Sequence, residues 1–203
     1  MQTDCVILGG GAGGLCAAAA LGRRRLHVTV VERLPRVGKK LLATGNGRCN
    51  LSNLDMQAAH YGKAAPFVEQ MYAVTPPSEV AAFFSSLGLM TAVEDDRVYP
   101  RTMAASAVLD VLRMACERTS VTLLTDTEAV ALTPSRRGGW SVQLADGSGL
   151  SPRTSSPQWV EAPRRRWART ARAHGSCNRS ATKSRRSIPR WFSSNASIPR
   201  SKG

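Results

Sequence analysis

Residues 5–8 are four apolar positions in a row, set between Asp4 and a run of glycines; a second apolar block at 27–31 ends on Glu32. Short runs without polar alternation are the pattern of strands buried on both faces, as in a parallel sheet. Between them, 15–21 is rich in alanine, which favours a helix and lets it lie close to a sheet. Gly22 and Arg23 to Arg25 close that helix, with cations at its negative end. Stretch 38–53 has the glycine and asparagine content of a loop. Helices are expected at 66–73 and at 78–87, the second capped by Ser78 and stopped by Gly88. Asp95 and Asp96 mark a turn, with a short strand around Val98 and Tyr99. Positions 106–118 carry Val108, Val111, Leu112 and Ala115 on one helical face. A strand at 121–124 and a hairpin of 128–132 with 140–144, closed by Asp146–Gly147, complete the pattern. Strand, helix, strand, then further strand and helix predict a three-layer α/β architecture: a mostly parallel, Rossmann-like sheet with a small β-meander.

Composition changes this picture in one place only. The chain has 203 residues, 42% hydrophobic and 21% charged, which suits a globular protein. It has no apolar run of the ~18 residues a membrane span needs, and no signal-peptide pattern. Five scattered cysteines without a C-x-x-C pair argue against a disulfide framework and a structural zinc site, so a reducing, cytoplasmic setting is expected. The net charge of +14 is lopsided. Residues 1–150 hold 15 Lys and Arg against 13 Asp and Glu, whereas 151–203 hold 13 against 1. The expected division is therefore a folded part over 1–150 and a basic Arg/Ser/Pro-rich tail over 151–203.

Gly9, Gly11 and Gly14 form G-x-G-x-x-G between a strand and a helix. The three serve a tight turn, close approach of backbone to a pyrophosphate, and close helix–strand packing. The N–H groups of the helix start, from Gly11, Ala12, Gly13 and Gly14, favour an anion. Glu32 ends the second strand 18 residues after Gly14, where a carboxylate accepts ribose hydroxyls. That carboxylate disfavours a 2′-phosphate, hence NADP, in this cradle. Gly38-Lys39-Lys40 lacks the following Ser or Thr and the earlier glycine of a nucleoside-triphosphate loop. The first motif therefore leaves FAD and NAD both open.

The second block separates them. Gly38-Lys39-Lys40-Leu41-Leu42-Ala43-Thr44-Gly45-Asn46-Gly47-Arg48-Cys49-Asn50-Leu51-Ser52-Asn53 resembles the signature of the BaiN/RdsA-type, aminoacetone-oxidase-like FAD-dependent oxidoreductases. Arg97-Val98-Tyr99-Pro100 resembles a second segment of that family, and the likeness runs from Met1 to about Gly147. It implies FAD as cofactor, with Arg33, Lys40, Thr44, Gly45, Asn46, Gly47, Arg48, Cys49 and Asn50 beside it and Val130 at the adenine. It implies NAD(P)H as a candidate electron donor and, from some members, uridine in ribosomal RNA as a candidate substrate. The residues agree: 44–50 offers many backbone N–H groups, few bulky side chains and one cation, Arg48. Cys49 reads as packing. His27 and His60 read as structural, without an acidic partner close in sequence. There is no nucleophile or acid–base pair, as expected where a cofactor carries the redox chemistry.

The tail has three readings. Trp159, Trp167 and Trp191 among arginines could form a nucleic-acid arm, which would make the chain a non-catalytic nucleotide- or RNA-binding protein. The composition also suits disorder. The reading favoured here is out-of-frame translation beginning between 147 and 155. Codons compatible with 161–173, shifted back one base, can spell G-G-A-A-A-P-V-G-T-D-G-S-G, and those of 184–203 can spell a run containing H-P-A-V. Both look like later segments of the family. On that reading the chain is a shortened flavoprotein whose sheet lacks strands that the family supplies later, leaving apolar faces exposed and its activity in doubt.

Overall fold

The computed structural model describes residues 3–134 and 140–152. In chain order the first elements are β1 (Cys5–Leu8), α1 (Ala12–Gly22), β2 (Val28–Val31), α2 (Lys39–Leu42), a 3-10 turn (Thr44–Gly47) and β3 (Ser52–Asn53). A helical stretch follows: a 3-10 segment (Ala58–Ala64), α3 (Ala65–Val74) and α4 (Pro77–Ser86). Then come β4 (Thr91–Glu94), β5 (Arg97–Pro100), α5 (Ala105–Glu117) and β6 (Val121–Leu124). Last are β7 (Ala129–Pro134), β8 (Trp140–Leu144) and β9 (Gly149–Leu150).

Three layers result. The middle one is a parallel sheet in the order β1-β2-β6, with Ile7 beside Val30 and Val30 beside Leu123. Because side chains alternate across a sheet, one register sends Cys5, Ile7, Val28 and Val30 to one face and Val6, Leu8 and Val31 to the other. On the first face α1 and α5 cover them with Leu15, Ala18, Ala19, Val108, Leu112 and Cys116. On the second, the antiparallel meander β7-β8-β9 contributes Ala129, Val142, Leu144 and Leu150. This double burial explains why β1 and β2 read as unbroken apolar runs. A separate small sheet, in the order β3-β5-β4, carries the second motif's end against Arg97 to Pro100. Among the described residues, β1 pairs with β2 on one edge and with no strand on the other.

The Rossmann-like fold expected from the pattern is the one observed, with local corrections. α1 begins at Ala12, inside the glycine motif, because the motif is the helix's first turn. α4 begins at Pro77, and Ser78 makes no cap bond; proline's fixed φ already suits a first helical position. The stretch read as loop contains α2, a 3-10 turn and β3. β4 was not expected: three of its four residues are exposed, so it shows little alternation. It pairs with β5 through Asp95 and Asp96, both left-handed (φ 48° and 62°), the geometry of a two-residue hairpin turn. The small meander expected in the C-terminal half is present, with β9 added to the hairpin of β7 and β8. Both histidines find carboxylates in space. Asp4 accepts from the His27 backbone N–H at 2.9 Å and lies 3.2 Å from its Nδ1, while Asp55 lies 2.8 Å from His60 Nε2. No helix among the described residues is long and apolar enough to cross a membrane. The tail and its tryptophans lie outside the described residues.

α3 and α4 contain no fully buried residue, and Phe67 and Met71 on α3 are exposed. The structural weight is carried elsewhere, by the α1–sheet–α5 sandwich that holds the motifs.

Candidate functional site

The C-terminal end of β1 delivers the chain into a turn that its neighbours fix bond by bond. Gly9 N–H donates to Val31 O at 2.8 Å, and Gly38 N–H donates to Gly10 O at 2.7 Å. Helix α1 opens at Gly11, an extended residue (φ −78°, ψ −174°) that supplies no side-chain cap. Its carbonyl accepts the first helical bond, from Leu15 N–H at 2.9 Å. The N–H groups at the start of a helix have no acceptor within it, and here no side chain caps them. Ala12 and Gly13 are exposed there, so the positive end of the helix faces outward over small residues. Gly14 is buried, and a Cβ at that position would run into the Gly9 carbonyl oxygen. The close approach expected of the third glycine is thus a contact between helix backbone and turn backbone.

Glu32 does more than the sequence reading asked of it. Its Oε2 accepts the Gly10 N–H at 2.8 Å and its Oε1 accepts the Leu34 N–H at 2.9 Å. One carboxylate therefore ties the glycine turn to the chain leaving β2. Two oxygens offer about four acceptor sites, so capacity is left for hydroxyl donors. Gly10, which lies outside the three-glycine pattern, is the residue the sequence reading missed. A Cβ there would sit 2.5 Å from Val37 Cγ1 and 3.3 Å from Glu32 Cβ. The only sequence signal was its place in a run of three glycines.

Beside Glu32 lies the segment entering β7. Thr127 N–H donates to Glu32 O at 3.0 Å, and Asp126 N–H to Leu34 O at 3.1 Å. In β7 the register jumps between Ala129 and Ala131, so Val130 is the extra residue of a bulge without an opposite partner. Its backbone is thereby released from the ladder close to the end of β2. Arg33 and Lys40 are both exposed.

The second block is a left-handed turn. Gly45 (φ 55°, ψ 35°) and Asn46 (φ 54°, ψ 43°) are followed by Gly47 (φ 83°) and, after Arg48, by Cys49 (φ 59°). Glycine meets this conformation at no steric cost, and asparagine tolerates it better than most residues. Thr44 Oγ1 donates to Leu41 O at 2.6 Å, and Cys49 N–H donates to Thr44 O at 3.0 Å, closing the turn. Thr44, Gly45, Asn46, Gly47 and Asn50 are exposed, and Cys49 is buried in the main core. Arg48 is held as well: Nη1 donates to Glu94 Oε2 at 2.9 Å and Oε1 at 3.2 Å, and the guanidinium lies 4.6 Å from the Tyr99 ring centroid. The one cation of 44–50 is thus paired with a carboxylate on β4.

The cysteines gather although they are scattered in sequence. Cys16, Cys49 and Cys116 pack in or against one core between α1, α5 and the second block. Burial, with Cys116 and Cys49 nearby, pushes the Cys16 thiol up to about 12; burial also raises Cys5 and Cys116 to about 11. Thiolate is the reactive form. Treatment of the folded chain with iodoacetamide at pH 8 should therefore leave Cys5, Cys16 and Cys116 unmodified, whereas the same treatment in denaturant should alkylate all three, as read by peptide mass spectrometry. Alkylation of Cys16 in the folded chain would contradict this packing.

The sequence has known relatives. The chain is 40% identical over 144 residues to the 3-dehydro-bile acid delta(4,6)-reductase of Clostridium scindens, which covers 70% of this chain and 35% of that protein. It is 27% identical over 127 residues to the ribosomal RNA dihydrouridine synthase of Haemophilus influenzae, covering 62% and 32%. The chain thus spans about a third of the length of these curated relatives. A solved glycine oxidase from Bacillus cereus overlays with a TM-score of 0.45 at 14% identity, over 72% of this chain and 54% of that one, a likeness too slight to carry function. The family described as HI0933-like protein Rossmann domain matches residues 3–154. With three quarters of its length inside that match, the chain belongs to the HI0933-like family, whose Rossmann domain it carries.

Proposed function

We propose that residues 3–152 form the FAD-holding unit of a flavin-dependent oxidoreductase. The observation that carries this reading is the Glu32 carboxylate, fixed by the Gly10 and Leu34 N–H groups beside an uncapped helix start. A dinucleotide needs those two features side by side: donors for a pyrophosphate and an acceptor for a ribose. Gly11, Ala12, Gly13 and Gly14 would meet the pyrophosphate, and Gly9 would turn the chain beneath it. Glu32 would take the adenosine ribose. Val130, released from its ladder, would offer backbone groups to the adenine, with Arg33 at the same end. Lys40 and 44–50 would line the distal half of the cofactor.

Bound flavin would supply the electron-transfer chemistry; the chain's own groups bind and orient it. In a family-length enzyme, reducing equivalents would pass from NAD(P)H through this unit to an acceptor. The names of the two relatives, a bile-acid reductase and a ribosomal RNA dihydrouridine synthase, make a reducible steroid or an RNA uridine the acceptors to try first.

The test is reconstitution of the purified chain with FAD, followed by titration and absorption spectroscopy. Yellow, stoichiometric flavin is the expected result. Glu32→Gln should weaken binding about tenfold or more, since hydrogen bonds to charged groups contribute about 1.5–3 kcal/mol. Glutamine would also turn an N–H2 group toward Gly10 or Leu34, lowering Tm slightly. A folded, colourless chain with salt-sensitive RNA binding would instead favour the non-catalytic, RNA-binding reading of the basic tail.

A further inference from the structure

Arg48 leaves the left-handed turn and is gripped at one end only. Its Nη1 donates to both oxygens of Glu94, at 2.9 and 3.2 Å, and its Cζ lies over the Tyr99 ring, 4.6 Å from the centroid. Tyr99 is 4% exposed and sits in β5, whose neighbour β3 is the direct continuation of the turn. Leu51 N–H donates to Val98 O at 2.8 Å, so turn and sheet are a single bonded unit. The guanidinium has five N–H donors in a fixed fork. With Nη1 committed, the donors on Nη2 and Nε keep a defined direction and have no acceptor among the described residues. The pair is 40% and 46% exposed, so as a surface salt bridge it adds little to stability. Its geometry serves orientation better than stability.

We infer that Glu94 and Tyr99 are positioning residues, which hold the Arg48 guanidinium so that its remaining donors meet an electron-rich oxygen on the distal, flavin-bearing half of FAD. This rests on the proposed FAD-holding role, and narrows it to a cation held by a carboxylate and a ring. The carboxylate fixes the side chain's reach, the ring supports the guanidinium from beneath, and the cation makes the contact. Lysine could not replace arginine here, because a point charge has neither a fork nor a plane to hold.

The experiment titrates the full chain and its variants with FAD and, separately, with ADP, which lacks the distal half. Wild-type chain should bind both. Glu94→Gln should raise the FAD dissociation constant about five- to tenfold, in line with losing part of one charge-assisted hydrogen bond, and leave the ADP constant unchanged. Arg48→Gln should do the same, and the double variant should be no worse than Arg48→Gln alone, because Glu94 acts through Arg48. Tyr99→Phe should behave as wild type and Tyr99→Leu as Glu94→Gln. Glu94 is exposed, so its variant reports even if Tyr99→Leu folds poorly. FAD affinity unchanged in Glu94→Gln, or FAD and ADP weakened alike, would overturn the inference while leaving the FAD reading standing. A folded wild-type chain that binds ADP but not FAD would remove that reading and this one with it.

Discussion

Gly14→Ala should lower Tm by roughly 10 °C and abolish FAD retention. The added methyl meets the Gly9 carbonyl oxygen, a backbone atom. A flexible side chain could swing away; this oxygen moves only if the turn or the helix start moves. Overpacking typically costs 1–3 kcal/mol, and a contact against backbone belongs at about the upper end of that range. For a folded unit of this size each kcal/mol lowers Tm by about 2–4 °C. The loss of cofactor follows from the same displacement, because the N–H groups of the helix start and the Gly10 N–H on Glu32 are set by where Gly9 places the turn. Thermal unfolding with and without FAD checks both parts. A variant with wild-type Tm and wild-type flavin content would show that the turn tolerates a side chain, and would sink this account.

Leu112→Ala should destabilise the chain comparably without touching the site. Leu112 is 0% exposed, on the face of α5 that closes the core with Leu15, Ile7 and Val108. Removing a buried leucine side chain costs about 2–5 kcal/mol, the transfer term plus that of the cavity left behind. Against a total of roughly 5–15 kcal/mol for an ordinary domain, the change removes a large fraction of stability. Phe67→Ala is the matched control: a larger side chain, 66% exposed on α3, for which a change within about 0.5 kcal/mol is expected. Urea midpoints at equal protein concentration measure the pair. If the two variants lose equal stability, the core has been placed on the wrong helices.

The parts of the structure legible in the sequence are those where one physical cause acts alone. β1 and β2 are buried on both faces, so nothing but apolar residues fits, and their positions could be read almost to the residue. α5 has one buried stripe, of which Val108 and Leu112 were legible; Leu109 and Cys116 are buried as well, while Val111 and Ala115 are half-buried at its margin. Where two causes compete, the pattern blurs. Ser78 looks like a cap, but Pro77 already starts the helix. Thr91 to Glu94 form a strand with little burial, held by pairing with β5 rather than by packing. In the candidate site, the glycine turn and the placing of Glu32 beside it were legible because spacing along the chain implies them. The contacts of Gly10, Glu94 and Tyr99 were not, since they reach residues 22, 46 and 51 positions away. The clustering of Cys16, Cys49 and Cys116 is likewise a product of helix packing that no local spacing announces.

The edge of β1 that pairs with no strand among the described residues ties cofactor and sheet together. β1 places Gly9, and Gly9 places the turn, so a cofactor that binds only the ordered turn stabilises the strand by mass action. Linkage makes the effect mutual. A partner strand that binds along this edge and stiffens β1 would tighten the hold on the cofactor by the same factor by which the cofactor tightens the strand's own docking. The rim of the sheet and the nucleotide cradle, joined through β1, would then behave thermodynamically as two halves of one binding event.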